Sequence, residues 1–572
     1  MVRWRWKLAV PSVAAVFAVA CGPAYDFTPT LVDAIGARHA LLDNGEVIVR
    51  QSERDVGADL NGDGDETDGV AVVLAPDGSV RSTGLAGLHI AAAGGSLAFI
   101  SVSEVSQGGV DLNGDGVLST EVLYLYDGST GLSSPLGRNG RGLAAVGDGT
   151  AMVVLTEGEA GLGDANGDAD TDDRVLHRWS PTTGFATLGL ATGSSPVDIA
   201  ANGDVFVRVG EQGQGMTDLD GNGTIAGSVV HRVTPTDVAT PMPHVTSVHP
   251  DRARAAISML VSETSAGLDL DGDGQVGASV WHRWELTEAA PVNLGHPFAL
   301  FDETPAGLLH GRVHEAAWGG DANGDGDTDD EVVAIYDPES EVLSSTGFAG
   351  WAVGLVDGRM ALLVNECEQG ETDLNGNGTG SFLVGSGPPP ICDGELVLHI
   401  LELATGAATN VGIAVAFDPA FGGPVALPSG GLAFQASESA NGVDYSGDGA
   451  LAQAVFFSWS PAYGLGNWRL GVSAGPLGVT PQGDVLVTRY EGGSAPGAID
   501  WNDDGDTLDS FASLWSETEG FTLDAAPKMS IVVAVGDDGT VVYQYRETFE
   551  DLNGDGDRDD RFWSVARPGS DE

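Results

Sequence analysis

The stretch Asp59-Leu60-Asn61-Gly62-Asp63-Gly64-Asp65-Glu66-Thr67-Asp68 places side-chain oxygens at positions 1, 3, 5, 7 and 10, with glycines at 4 and 6. A tight glycine turn that aims several oxygens at one point suits a hard cation. The chain writes this device ten times. The later copies carry Asp111, Asn113 and Asp115; Asp164, Asn166, Asp168, Asp170 and Asp173; Asp218, Asp220 and Asn222; and Asp269, Asp271 and Asp273. They continue with Asp321, Asn323, Asp325, Asp327 and Asp330; Asp373, Asn375 and Asn377; and Asp444 and Asp448. The last two carry Asp500, Asn502, Asp504, Asp506 and Asp509, then Asp551, Asn553, Asp555, Asp557 and Asp560. Successive copies start 51 to 56 residues apart, with a single gap of 71.

Calcium is the expected ion, with up to about ten bound, because it takes six to eight oxygens in flexible geometry, whereas magnesium keeps its waters in a strict octahedron. No His or Cys recurs in the loops, which disfavours zinc and copper. The alternative is a set of Asx-rich hairpin turns that hold no metal. The loops resemble EF-hand loops in part, but position 12 is an apolar residue such as Val70, Val122, Val175 or Val332 where that family has a bidentate Glu. The closing ligand must then come from elsewhere. One candidate is the acid at position 10. The other is a Glu that ends strand B in every repeat: Glu53, Glu104, Glu157, Glu211, Glu263, Glu315, Glu366, Glu438, Glu491 and Glu547. That Glu could complete the cage, or it could hydrogen-bond loop amides and fix the corner.

Positions 7 and 10 are acidic together in five loops and neither is acidic in the other five, so two loop classes are expected. The spacing of three suggests one helical turn that joins 7 to 10, and tighter binding by the acid-rich class. The loops at Asp373 and Asp444 are the weakest, with Asn377 at position 5 of one and Ser446 at position 3 of the other.

The elements between the loops are strands. Residues 121–157 read as Glu-Val-Leu-Tyr-Leu-Tyr-Asp, a glycine turn, Leu132 to Leu136, Gly142 to Asp148, a second turn and Ala151 to Glu157. Four short strands per unit of about 50 residues is the size of a propeller blade. The order of small apolar strand, Asp/Asn-x-Gly turn, apolar strand, loop and Val-Leu-x-x-Tyr/Trp strand resembles the repeat of TolB-like propellers. This resemblance implies strands A (142–148), B (150–157), C (as 121–127) and D (as 132–136), with the acidic loop joining B to C on one rim. The fold expected is all-β, a β-propeller of four-stranded blades in a single ten-bladed ring closed by N- and C-terminal strands. The last unit ends on its C strand, and residues 25–33 would supply the missing D strand. The alternative is two five-bladed propellers divided near residues 373–444.

Composition limits the partners. The formal charge of −58 comes from 83 acids against 25 bases, and the only lysines are Lys7 and Lys528. Ten divalent ions would leave it at about −38, so the surface repels nucleic acid and favours cations or basic partners. Residues 1–21 read as an export signal: Arg3, Arg5 and Lys7 lead an apolar run too short to span a membrane. The segment Ala18-Val19-Ala20-Cys21-Gly22 resembles a bacterial lipoprotein signal, which implies that Cys21 is lipidated and that 22–572 is the mature chain, membrane-anchored in the periplasm or at the cell surface. An ordinary cleaved signal or an N-terminal anchor is the alternative. The two remaining cysteines, Cys367 and Cys392, are then expected to form one disulfide, which closes a loop of about 25 residues and contributes roughly 3.5 kcal/mol, with two free buried thiols as the alternative.

His177-Arg178-Trp179, His231-Arg232 and His282-Arg283-Trp284 recur on C strands, and His39, His89 and His249 fall near A strands. Packing explains them better than catalysis, and no nucleophile elbow, zinc motif or phosphate loop is present. The loops also resemble the D-x-N-x-D-G loops of integrin-type FG-GAP repeats, without that family's Phe-Gly and Gly-Ala-Pro flanks. Adhesion is what this resemblance implies. The leading expectation is a calcium-stabilised exported scaffold that binds a surface protein or glycan without catalysis. The alternatives are a quinoprotein- or lyase-like enzyme with its site in the central channel, and a purely structural envelope component.

Overall fold

A computed structural model describes residues 39–566, apart from 491–509, 547–560 and shorter stretches elsewhere in that range. The chain is all-β, in antiparallel sheets stacked as a propeller ring. Blade 1 pairs His39–Leu41, Val47–Ser52, Gly69–Leu74 and Val80–Ser82 in sequence order, and these are strands A, B, C and D. Three long strands, Leu132–Ala145, Val342–Leu355 and Gly464–Val479, each serve as strand D of one blade and strand A of the next. They fuse pairs of blades into seven-stranded sheets. Blade 10 shows Ser530–Val535, Val541–Arg546 and Arg561–Ala566. The expected D strand at 25–33, the export signal and Cys21 lie outside the described residues.

The inner strands are apolar on both faces because a neighbouring blade covers each face. Gly69–Leu74 is buried at every position, as is nearly all of Ala151–Thr156, whereas strand D of blade 1 is mostly exposed. Hydrophobic cores therefore lie between blades. Ile48, Ala71 and Val73 meet Ile90 and Ile100 between blades 1 and 2. Trp281 packs with Leu309 and Val313 between blades 5 and 6. Blade 10 returns to blade 1: Trp563 packs against the cluster of Val47, Val49 and Val72, and its Nε1 donates to Arg50 O at 3.0 Å. Gln51 Nε2 adds a hydrogen bond to Arg561 O at 3.1 Å. Contacts from 5 to 6 and from 10 to 1 follow one ring rather than two rings of five.

Blade 7 carries an insertion between B and C that folds as the hairpin Phe382–Val384 and Ile391–Asp393. Cys367 at its start is disulfide-bonded, and Cys392 lies on the hairpin. Among the described residues no helix is long and apolar enough to cross a membrane.

Candidate metal centres

Each described loop leaves strand B through a buried Glu and reaches strand C through a chain of Asx turns. The position-1 carboxylate folds back on its own loop. Asp59 Oδ1 accepts from Gly62 N at 2.6 Å and Oδ2 from Gly64 N at 3.0 Å, and Asp111, Asp321 and Asp444 do the same with their own glycines. Position 3 then accepts from the amide of 5, and 5 from that of 7, as in Asn61 with Asp63 N and Asp63 with Asp65 N, both at 3.1 Å. Position 6 needs the left-handed region. Ala169 adopts φ 81° there in blade 3, a conformation the other described loops give to glycine.

In the described loops the expected helical turn between positions 7 and 10 is not formed. Asp65 Oδ1 instead accepts from Thr67 N at 2.9 Å, so successive Asx turns produce the same spacing. A single helical turn lies earlier, where the Glu begins it, as in Glu53–Val56, Glu263–Ala266 and Glu315–Trp318.

That Glu is fully buried in all eight described blades that show it, from Glu53 to Glu438. Its Oε1 accepts the amides after position 1, such as Leu60 N at 2.7 Å and Asn61 N at 3.2 Å for Glu53. Its own amide donates to the carbonyl of the residue just before strand C, as Glu53 N does to Asp68 O at 2.9 Å. In Glu263 both oxygens are engaged, by Leu270 N, Asp271 N, Gly277 N and Ala278 N at 2.6 to 3.2 Å. Those four donors hold its carboxyl below the usual carboxylate range, against the desolvation that pushes it up. Of the two roles open to the Glu, bonding loop amides is therefore visible. In Glu157, Glu315 and Glu366 the second oxygen, Oε2, is buried with no hydrogen-bond partner. A buried ionised oxygen without a donor is costly unless a cation faces it.

The acids gather around this Glu in two ways. In blade 6, Glu315, Asp325, Asp327 and Asp330 each offer an oxygen within 4.8 Å of the others. Glu53 with Asp65 and Asp68, and Glu157 with Asp170 and Asp173, do the same. In acid-poor loops the gathering shifts to positions 1 and 3, as in Glu211 with Asp218 and Asp220, and Glu263 with Asp269 and Asp271. All donors are oxygens, which fits a hard divalent cation. The remaining described positions are hydrogen-bonded locally. Asn113 Nδ2 reaches Asp115 and Asn139, Asn222 Nδ2 reaches Asp220 Oδ2, Asp273 accepts Gln275 N, and Asp448 accepts Ala450 N and Gln453 Nε2. The loops at Asp500 and Asp551, with Glu491 and Glu547, lie outside the described residues.

The crowding shows in the carboxyls. Desolvation, with the hydrogen-bonded Asp325 beside it, pushes Asp330 up to about 7, and desolvation with Asp168 pushes Asp173 up to about 6. A free Asp titrates near 3.9. A raised carboxyl favours the fold while protonated, so this contribution is full below about pH 4 and is lost as pH rises toward 7. In chelator the melting temperature is expected to fall between about pH 4.5 and 7, with a shallower slope in Asp330→Asn. Equal slopes in the two proteins would contradict this.

The loops also join blades. Asn61 Nδ2 donates to Asp68 Oδ2 at 3.5 Å and, across the gap, to Ser106 O of blade 2 at 2.8 Å. Asn166 spans Asp173 and Gly213 O of blade 4, and Asn323 spans Asp330 and Glu368 O of blade 7. Position 5 packs flat against a glycine of the next blade: a Cβ on Gly215 would stand 2.8 Å from that of Asp168, and one on Gly370 3.0 Å from that of Asp325. Only glycine permits this approach. In blades 2, 4, 7 and 8 an amide side chain three residues after the buried Glu clamps the preceding blade. Gln107 accepts Ala86 N and donates to Gly84 O, Gln214 holds Ala191 and Gly189, Gln369 holds Ala349 and Asn323, and Asn441 holds Ala414 from both sides. The repeated Glu-x-x-Gln/Asn is the signal for these clamps, which the loop-centred reading passes over.

The histidines and arginines expected on the C strands are bonded within and between blades. His177, His231 and His282 are buried and bond the carbonyls of Val175, Val229 and Val280 through Nδ1. Arg178, Arg232 and Arg283 turn to the other face and pair with Asp237, Asp204 and Asp251. His39, His89 and His249 sit on A strands, as expected.

No protein-family model matches the chain. No curated protein matches it either. Among solved structures it is similar to a prolyl endopeptidase, at 10% identity over 74% of this chain and 54% of that one, with a TM-score of 0.29. It is similar to the β-propeller domain of the Trilobed protease from Pyrococcus furiosus, at 11% identity over 66% of this chain and 96% of that one, with a TM-score of 0.31. It is also similar to TolB from Acinetobacter baumannii, at 9% identity over 51% and 59%, with a TM-score of 0.21. The chain spans about half the length of the endopeptidase it matches.

Proposed function

We propose that the chain is a calcium-stabilised, exported lipoprotein propeller, which serves as a non-enzymatic surface scaffold for a protein or glycan partner, with its ions acting as staples between blades. The observation that carries this reading is the repeated arrangement of a buried, unpartnered Glu oxygen beside clustered Asp carboxylates, closed by an Asn that reaches the next blade. In blade 6 the ion would be held by Glu315, Asp325, Asp327 and Asp330, and in blade 3 by Glu157, Asp170 and Asp173. When bound, it neutralises carboxylates that otherwise repel one another. The chain's own contribution is rigid placement: buried Glu oxygens anchor loop amides, Asx turns fix the spacing, and Gln or Asn clamps hold the adjoining blade.

Cys21 would tether the scaffold to a membrane by lipid, and the acidic surface would face cations or basic partners. Calorimetric titration of calcium into the chelator-stripped chain tests the ion reading. Uptake of several calcium ions, with the acid-rich loops filling first and magnesium binding more weakly, is expected. No calcium uptake would overturn it. Incorporation of labelled fatty acid that disappears in Cys21→Ala tests the anchor.

A further inference from the structure

Blade 7 looks poorest in linear sequence, because Asp373-Leu374-Asn375-Gly376-Asn377-Gly378 carries one acid and nothing at positions 7 or 10. The structure supplies what the motif lacks. In blades 1, 3 and 6 the buried Glu donates its amide to the carbonyl of the position-10 Asp: Glu53 to Asp68, Glu157 to Asp173, Glu315 to Asp330. In blade 7 the same bond runs from Glu366 N to Glu395 O, at 3.0 Å. Glu395 therefore stands in the position-10 place, although the insertion puts it 22 residues beyond Asp373.

The side chains agree with the backbone. Glu395 Oε2 accepts from Asn375 Nδ2 at 2.7 Å and from Asn377 Nδ2 at 2.8 Å. Both amides also reach Ala440 O of blade 8, at 3.2 and 2.5 Å, which repeats the bridge to the next blade seen at Asn61, Asn166 and Asn323. Glu366 is fully buried, and its Oε1 accepts from Leu374 N and Asn375 N at 2.6 and 3.1 Å. Its Oε2 has no partner, a property it shares with Glu157 and Glu315 of the acid-rich blades. The disulfide-bonded Cys367 is the next residue in the chain, and Cys392 lies three residues before Glu395.

We infer that blade 7 holds a divalent-cation site built around the carboxylates of Glu366 and Glu395, the latter held in place by the Asn375 and Asn377 amides, and kept in register by the disulfide at Cys367. The inference rests on the calcium reading above and adds to it a ligand set that no linear motif contains, together with a dependence on redox state. Insertion and disulfide act as one device: the insertion moves the closing carboxylate away in sequence, and the covalent tie beside Glu366 returns it.

The test is calcium titration of the full chain, as wild type, as Glu395→Gln and as wild type in reductant, with the melt of each recorded in chelator. Glu395→Gln is nearly isosteric and is expected to melt in chelator as wild type does, while one calcium equivalent is lost or weakened roughly tenfold. Reductant is expected to weaken the same single equivalent and leave the others unchanged. Full stoichiometry and affinity in Glu395→Gln overturns the site, and an unaffected equivalent in reductant overturns the role of the disulfide. If the wild type takes up no calcium, the reading beneath the inference fails, which is a distinguishable result.

Discussion

In EDTA the melting temperature of the chain is expected to fall by on the order of 10 °C relative to millimolar calcium. A site that binds only the fold adds about 2.7 kcal/mol when calcium stands 100-fold above its dissociation constant. The three described acid-rich loops would together contribute about 8 kcal/mol on that basis. A chain of this size unfolds with a large entropy, which converts such an energy into several degrees, and the acid-poor loops add to it. Removal of the ions also leaves the clusters at Glu53, Glu157 and Glu315 repelling one another at the corners that join blades. Calcium, and not magnesium, should restore the melt, because the loops offer flexible oxygen donors rather than a strict octahedron. A melt that is the same in EDTA and in calcium would contradict the account.

The second large effect is expected at Glu263, and it does not depend on an ion. Its two oxygens accept four loop amides, and it is fully buried. Glu263→Ala leaves those donors without acceptors at about 1 to 3 kcal/mol each, partly relieved by water, so a loss of about 4 kcal/mol is expected. Glu263→Gln keeps one acceptor oxygen, turns an NH2 toward the other pair of amides, and should fall between. The carboxyl is held low in the fold, so its contribution is present above the unfolded value near 4.3 and is lost as the pH falls through the lower folded value. Denaturant unfolding in chelator measures all three. A Glu263→Ala protein as stable as wild type would mean that the loop amides find other acceptors.

Much of this was legible in the residues because the repeat is local. The period, the Asp/Gly spacing and the Glu before each loop sit within about 20 residues, so the four-stranded blade, the B–C placement of the loops and the two loop classes follow from them. The assignment of ligands to positions was less legible. Position-1 carboxylates such as Asp59 and Asp321 bond the glycine amides of their own loops, and a residue count does not show which oxygens remain free. The spacing of three between Asp65 and Asp68 suits a helical turn and consecutive Asx turns equally, and the loop amides chose the latter. Glu395 was missed because the insertion breaks the spacing on which the motif depends. The Gln and Asn clamps were missed because their partners are backbone atoms of another blade, which leave no mark in the loop itself.

The central claim is that divalent cations sit beside the buried Glu residues and tie blades together. Crystals of the chain grown in calcium and measured for anomalous scattering test it most directly. The account predicts peaks bounded by Glu157, Asp170 and Asp173, and by Glu315, Asp325, Asp327 and Asp330, with oxygens at about 2.3 to 2.6 Å. Ordered loops at saturating calcium with no peak beside Glu157 or Glu315 would contradict it.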